Sequence, residues 1–288
     1  MSLFRDLSTQ AEIDQAYNPR WQVDDVQRHL DWYSDESARA RHELTCHLDA
    51  PFGPTPAEIV DIFPAAKPGA PVLVFIHGGY WRAFTSKEFS FVARGPVAHG
   101  MTVVVTNYAL CPEVTLDEIT RQSRAALAWL WHNVERFNGD RDQINVVGHS
   151  AGGQQVGMLA ATDWAGGYGL PADLIKAGIP ISGLFDLRPF VHSWLQPSLQ
   201  LDAGIIQRQS PLFNLPESGP RLWVTVGGLE SAEFRRQSEE FAAAWQAQGL
   251  HGEQQVLEGK NHFDLINGLA DAESDFCQSV VDFVARCG

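Results

Sequence analysis

The sequence predicts one α/β domain on a mostly parallel sheet, with antiparallel strands at its N-terminal side and helices on both faces. Three observations carry this. Continuous apolar runs of strand length lie at 72–76 and 101–106, the pattern of strands buried on both faces. Helical stripes lie between them, as at Leu116, Ile119, Ala126, Leu127, Leu130, Val134 and Phe137. Strand and helix alternate, which calls for right-handed crossovers in a parallel sheet.

Taken in order, 10–17 reads as a polar helical arm, and Val26, Leu30 and Tyr33 give 23–44 a helical spacing among charges. Residues 46–48 and 58–63 flank the Pro51-Phe52-Gly53-Pro54 turn and read as two antiparallel strands. Strands at 72–76 and 101–106 precede the long helix 116–137. A strand at 144–147, a helix from 151 to about 162 and a strand near 178–181 follow. Residues 187–220, rich in proline, are too long for a bare connector and are expected to form a helical flap over the site. The chain closes with strand 222–226, helix 232–248, strand 254–257 and a final helix carrying Phe276, Val280, Phe283 and Val284 inward.

Composition narrows the function. Lys plus Arg number 21 against 35 Asp plus Glu, a net charge of −14, which repels phosphate backbones and anionic lipid and argues against nucleic-acid or membrane partners. Residues 1–7 lack the apolar stretch of a secretory signal, and no apolar run approaches the ~20 residues that span a bilayer, so the expectation is a cytoplasmic protein. Cys46, Cys111, Cys277 and Cys287 lack metal-ligand spacing and are expected to be free thiols. The oligomeric state is open, a homodimer included.

Two segments carry the chemistry. Gly148-His149-Ser150-Ala151-Gly152 closes one apolar run and fits the G-x-S-x-G turn that lifts a serine hydroxyl off a strand end, at the head of a helix. His77-Gly78-Gly79-Tyr80-Trp81 closes another and fits a glycine loop whose backbone N–H groups meet an oxyanion. Ser150 is the expected nucleophile, with Ala151 and Gly78 or Gly79 as oxyanion donors. Together these motifs point to the α/β-hydrolase fold.

A serine needs a histidine base and an acceptor to orient it. Acid then histidine follow the nucleophile in this fold, so His262, after the last strand, is the candidate base. Glu230, after the penultimate strand, is preferred as acid; Asp186 is its rival, and Glu233 and Asp264 are weaker candidates. Tyr80, Trp81, Phe185 and Phe263 are the candidate aromatic walls of a substrate pocket. His77 is expected to brace the oxyanion loop through backbone hydrogen bonding, and His149 to fill the elbow's variable slot. Neither belongs to a metal-ligand pattern, and no nucleotide-binding glycine loop follows a strand, so no cofactor is implied.

With these residues in view the chain resembles the arylformamidase, or kynurenine formamidase, branch of the α/β-hydrolases. The resemblance lies in His77-Gly78-Gly79-Tyr80-Trp81, Gly148-His149-Ser150-Ala151-Gly152-Gly153, Ser182-Gly183-Leu184-Phe185-Asp186-Leu187-Arg188-Pro189, the stretch from Glu230 to Ser238, Asn261-His262-Phe263, and the N-terminal stretch from Ala11 to Asn18. It implies metal-free hydrolysis of N-formylkynurenine to kynurenine and formate, with Ser150 as nucleophile, His262 as base and Gly78, Gly79 and Ala151 as oxyanion donors. One position departs: that group carries Asp where this chain has Glu230. A small aryl amide or ester is the expected partner, with a broad-specificity carboxylesterase as the alternative.

Overall fold

Alternate residues of the central strands enter different cores. Val72, Val74 and Ile76 join one apolar cluster, while Leu73 and Phe75 join another on the opposite face, as the two-residue period of a strand demands. Each strand needs apolar cover above and below, which is why the runs read as unbroken. The computed structural model describes residues 2–288.

The strands are β1 His47–Pro51, β2 Ile59–Phe63, β3 Ala70–Ile76, β4 Thr102–Thr106, β5 Gly139–His149, β6 Ile175–Ile181, β7 Arg221–Gly227 and β8 Gly252–Leu257. They form an eight-stranded sheet ordered β1-β2-β4-β3-β5-β6-β7-β8. β1 pairs with β2, and β2 with β4, antiparallel; every pairing from β4 to β8 is parallel. The helices are α1 Gln10–Tyr17, α2 Val26–Glu43, α3 Arg94–Ala98, α4 Leu116–Asn133, α5 Ala151–Ala160, α6 Trp164–Tyr168, α7 Gln196–Leu199, α8 Ala203–Gln209, α9 Ala232–Ala247 and α10 Asp275–Cys287. No helix among the described residues is long and apolar enough to cross a membrane.

Local chemistry explains where helices start. The Thr9 hydroxyl accepts the Glu12 N–H while the Glu12 carboxylate accepts the Thr9 N–H, a reciprocal cap that opens α1. Thr115 caps α4 in the simpler manner, accepting from the Glu118 N–H. The predicted helix 116–137 is α-helical only to Asn133; Val134–Phe137 tightens to a 3-10 turn that Asn138 ends at φ 63°. Between β3 and β4, where the sequence analysis places no element, a 3-10 run Ser86–Ala93 leads into α3. In 187–220 the structure holds 3-10 turns Arg188–His192 and Pro211–Phe213 around α7 and α8. Pro189, Pro197 and Pro211 each sit in a first turn, where no N–H is required, so the prolines start these short helices.

Parallel pairing brings the carboxyl ends of β3, β5, β6, β7 and β8 to one sheet edge, where ligands bind in such folds. The segments carrying His77, Ser150, Ser182, Glu230 and His262 follow those ends in turn. The tightest contact there is Gly152 in α5, where a Cβ would overlap the Ile76 carbonyl oxygen. Gly152→Ala should lower the unfolding free energy by about 3 kcal/mol, read by urea denaturation. Gly167→Ala, in a helix with open space around it, should be neutral or slightly stabilising; equal losses at both positions would refute the argument from close approach.

Candidate active site

Ser150 stands between β5 and α5 at φ 57°, ψ −116°, a conformation that side chains adopt only under constraint. Its N–H donates to the Ile181 carbonyl at 2.8 Å. Ala151 opens α5, so its N–H has no intrahelical acceptor and points out of the positive end of the helix.

The glycine loop lies against this turn: a Cβ on Gly78 would stand 3.0 Å from the Ser150 Cβ. Gly79 is at φ 108°, and a Cβ there would also overlap the Ala83 carbonyl oxygen, so glycine is required. His77 is fully buried between the rings of Phe89 and Tyr108, and its Nδ1–H donates to the Gly78 carbonyl at 2.8 Å. A trans peptide is planar, so fixing the Gly78 carbonyl aims the Gly79 N–H the opposite way. Tyr108 reinforces this, its hydroxyl donating to the His77 carbonyl at 2.9 Å. Burial pushes the His77 pKa down to about 4, outweighing the hydrogen bond to Gly78 and the charge of Glu88, which raise it; this keeps the ring neutral and able to brace the loop.

Glu230 and His262 meet. His262 Nδ1 donates to Glu230 Oε2 at 2.6 Å, with both residues buried. Glu230 Oε1 accepts from the Gly227 N–H at 2.8 Å and from the Ser182 hydroxyl. Three donors therefore hold this carboxylate and fix its orientation. With Nδ1 engaged, Nε2 is left as the basic nitrogen of the neutral ring. The rival acid is occupied elsewhere: the Asp186 carboxylate accepts from Arg188 Nη2 at 2.7 Å and from Nε at 3.0 Å. Glu233 pairs with Arg236 and accepts from the Tyr17 hydroxyl, and Asp264 bonds the Asn261 backbone and side chain.

Ser150, His262, Gly78 and Gly79 line one cavity of about 300 Å³. Among the described residues the Ser150 hydroxyl has no hydrogen-bond partner, so it faces the cavity unengaged; contacts of this kind commonly tighten only when substrate binds. His149 also lines the cavity, with its ring 4.6 Å from that of His262. Burial, and then the neighbouring His262, hold its pKa well below the ordinary histidine value.

Two of the four aromatic pocket assignments need correction. Tyr80 and Phe263 line the cavity. Trp81 does not: it is fully buried, its indole N–H donating to Gln154 Oε1 at 3.0 Å. Phe185 is also core, stacked on Phe241 with ring centroids 4.1 Å apart. Aromatic spacing near a catalytic loop does not distinguish wall from core. The walls that sequence reasoning missed are Leu30, Tyr33, Phe84, Phe89, Trp194 and Leu195. Tyr33 also donates its hydroxyl to the Phe263 carbonyl, tying α2 to the histidine loop. Ser182 was quoted only as part of a motif; its position just past β6 was the available signal for a role beside the acid.

The elbow, the glycine loop and the acid–histidine pair on one edge of this sheet define an α/β-hydrolase, and the protein is a hydrolase of that type. Its likeness is to the kynurenine formamidase branch and runs along most of the chain. It is 29% identical to a kynurenine formamidase from Danio rerio over 88% of each chain. With that of Salmo salar it is 26% identical over 99% of this chain and 100% of the other. A family model described as BD-FAE matches residues 60–166. Among solved structures, a protein from Silicibacter sp. TM1040, provisionally described as a thioesterase, superposes with a TM-score of 0.84 at 28% identity, covering 94% of this chain and 99% of that one.

Two outcomes follow from the geometry. Glu230→Ala should cut kcat on the order of 10³-fold or more, Ser182→Ala on the order of tenfold through looser holding of the acid, and Asp186→Ala less than Glu230→Ala. Steady-state kinetics with a thermal-melt control checks the ranking, and an Asp186 effect equal to that of Glu230 would transfer the acid role. The second outcome concerns pH. The folded pKa of His77 lies below its unfolded value near 6.5, so its contribution to stability is present above pH 6.5 and lost as pH falls toward 4. That loss amounts to about 3 kcal/mol. Denaturation at stepped pH should reveal it in the wild type, and His77→Phe should remove that share of the slope.

Proposed function

We propose that this protein is a serine hydrolase of aryl formamides, cleaving N-formylkynurenine or a similar compound to the aryl amine and formate. The observation that carries the reading is the Glu230–His262 hydrogen bond at 2.6 Å, behind a cavity that His262 shares with Ser150 and the glycine loop. The likeness to kynurenine formamidases over most of the chain supports the substrate class.

In this mechanism His262 Nε2 takes the Ser150 proton as Oγ attacks the formyl carbon. The carbonyl oxygen gains the negative charge and is met by the N–H groups of Ala151 and Gly78 or Gly79. The resulting imidazolium is stabilised by Glu230 and delivers its proton to the departing amine nitrogen, breaking the C–N bond and leaving formyl-Ser150. Water then attacks that ester with His262 again as base, and formate leaves as Ser150 regains its proton. The volume of about 300 Å³ lies at the small end of ligand pockets. It suits a small acyl group with one aromatic ring better than a long acyl chain.

The second reading is a carboxylesterase of broad scope using the same residues. The apolar walls Leu30, Phe84, Phe89 and Leu195 favour it, since they would accept many short esters. Turnover of N-formylkynurenine against p-nitrophenyl acetate and butyrate separates the two, a dominant preference for butyrate contradicting the formamidase reading. Ser150→Ala should abolish labelling by a fluorophosphonate and lower kcat by on the order of 10⁴-fold or more. Persistent labelling would remove Ser150 from the mechanism.

A further inference from the structure

The backbone donors proposed for the oxyanion belong to different elements. The Ala151 N–H heads α5, while those of Gly78 and Gly79 lie in the loop after β3. Both sets must face one oxygen atom, so the loop has to be registered on the helix. Its next turn does not hold itself. Tyr80 and Trp81 both have positive φ, 52° and 56°, and the Arg82 N–H closes the turn on the Gly79 carbonyl at 3.1 Å. Neither central residue is glycine, so the turn is strained and persists because its surroundings pin it.

The pins are specific. The Tyr80 hydroxyl donates to the Tyr17 carbonyl, the Cys111 N–H to the Trp81 carbonyl at 2.7 Å, and the Trp81 indole N–H to Gln154 Oε1 at 3.0 Å. The last bond differs from the others in where it leads. Gln154 lies one turn into α5 from Ser150, and its own N–H donates to the Ser150 carbonyl at 3.2 Å. One residue is thus bonded to the main chain of the candidate nucleophile and, through its side chain, to the turn that continues the glycine loop.

The Gln154 amide has a single orientation. Oε1 accepts from the Trp81 indole and from Gln155 Nε2 at 2.8 Å, while Nε2 donates to the Gln209 carbonyl at the end of α8, at 2.7 Å. Turning the amide over would set an N–H against the indole N–H and an oxygen against that carbonyl. Gln154, Gln155 and Trp81 are all fully buried, so an unmade bond here is costly. A glutamine in the interior of α5, beside apolar Val156 and Leu159, calls for such an account.

We propose that Gln154 is a positioning residue of the oxyanion site. By holding the Trp81 indole from the helix that Ser150 heads, it sets where the Gly78 and Gly79 amides stand relative to the Ser150 hydroxyl and the Ala151 N–H. It touches no reacting atom, and neither it nor Trp81 lines the cavity. The inference rests on the serine-hydrolase reading of the same site.

Trp81→Phe is the mildest test, because it deletes the indole donor and leaves Gln154 Oε1 still served by Gln155. Gln154→Met removes the amide at similar volume, and Gln154→Glu keeps an acceptor toward the indole. Thr120→Val is the control: the Thr120 hydroxyl donates to Gln209 Oε1 at 2.7 Å, so its loss loosens the same buried cluster without touching the bond to Trp81. On N-formylkynurenine and p-nitrophenyl acetate, Trp81→Phe and Gln154→Met should lower kcat about tenfold with KM within about twofold of wild type. Gln154→Glu should fall between, and Thr120→Val should keep its kcat despite a lower melting temperature. The Trp81→Phe/Gln154→Met double variant should lose no more than the worse single variant, since both remove the same bond.

Trifluoroacetophenone reads the oxyanion itself: the Ser150 oxygen adds to its carbonyl carbon, the hydroxyl proton passes to His262, and the former carbonyl oxygen takes the negative charge. Its inhibition constant should rise about tenfold in Trp81→Phe, while that of acetophenone, which binds without forming the adduct, stays where it was. Lower melting temperatures with kcat and trifluoroacetophenone inhibition unchanged would reduce Gln154 to a part of the core and overturn the inference, as would an equal loss of kcat in Thr120→Val. Equal binding of trifluoroacetophenone to wild type and Ser150→Ala would instead remove the serine-hydrolase reading and the inference with it.

Discussion

A series of backbone hydrogen bonds running just past the strand ends ties the candidate catalytic groups together. Ser150 N–H donates to Ile181 at 2.8 Å, Ser182 N–H to Thr225 at 2.7 Å, Gly228 N–H to Leu257 and Leu229 N–H to Lys260, each at 2.9 Å. Each bond links the loop after one strand to the end of the next strand or its loop, so the elbow, the acid turn and the histidine loop are registered on one another by main chain. Ser150 and Ser182 both have positive φ, 57° and 50°. Such conformations cost on the order of 1–3 kcal/mol each and persist where the surroundings over-determine them. Here the surroundings are the packing of Gly152 on Ile76 and of Gly153 on Gly183, which wedges the head of α5 between neighbouring strands.

Electrostatics around the imidazole follow from which groups keep their charge. His77 and His149 are held neutral by burial, and Asp186 faces Arg188. The carboxylate bonded to His262 is that of Glu230, and it is the counter-charge the proposed mechanism offers an imidazolium. The use of Glu at position 230 has a geometric account. Glu230 closes a tight turn on Gly227, its N–H donating to that carbonyl at 3.2 Å while its carboxylate folds back onto the Gly227 N–H. The extra methylene lets one oxygen satisfy the turn and Ser182 while the other reaches His262.

Much of this was legible because burial on both faces of a parallel strand leaves an unmistakable apolar run, and because a strained serine turn admits few residues at Gly148 and Gly152. The run Ser86–Ala93 was missed although Thr85 and Glu88 spell a helix-capping signature, with the Thr85 hydroxyl accepting from the Lys87 N–H and Glu88 bonding back to the Thr85 N–H. Phe89 and Phe91 lie two apart, which is not a helical spacing. Trp81 and Phe185 were assigned to the pocket because sequence distance from a catalytic loop carries no sign: the residue beside cavity-lining Tyr80 turns inward to Gln154. The opposite error left out Tyr33, Trp194 and Leu195, whose place at the cavity depends on long-range packing of α2 and of the 187–220 segment against the sheet edge.

That division separates chemistry from selection. Ser150, the glycine loop, Glu230 and His262, the groups of the proposed mechanism, all follow strands of the sheet, and the family model matching residues 60–166 spans the glycine loop and the elbow. The far walls come from elsewhere: Asn18, Pro19, Arg20, Leu30 and Tyr33 from α1's end through α2, Trp194 and Leu195 from the turn that leads into α7. These outer pieces are bonded to the segments they cover through Tyr80 on Tyr17 and Tyr33 on Phe263, and to one another through the Trp194 N–H on Asp14 at 3.0 Å. A change in the N-terminal arm therefore alters the shape and charge of the cavity without touching a catalytic atom, while its hydrogen bonds still report to the oxyanion and histidine loops. Substrate preference in this fold can drift by replacing residues that no strand or elbow constrains, which is why a shared sheet edge fixes the reaction class more firmly than the substrate.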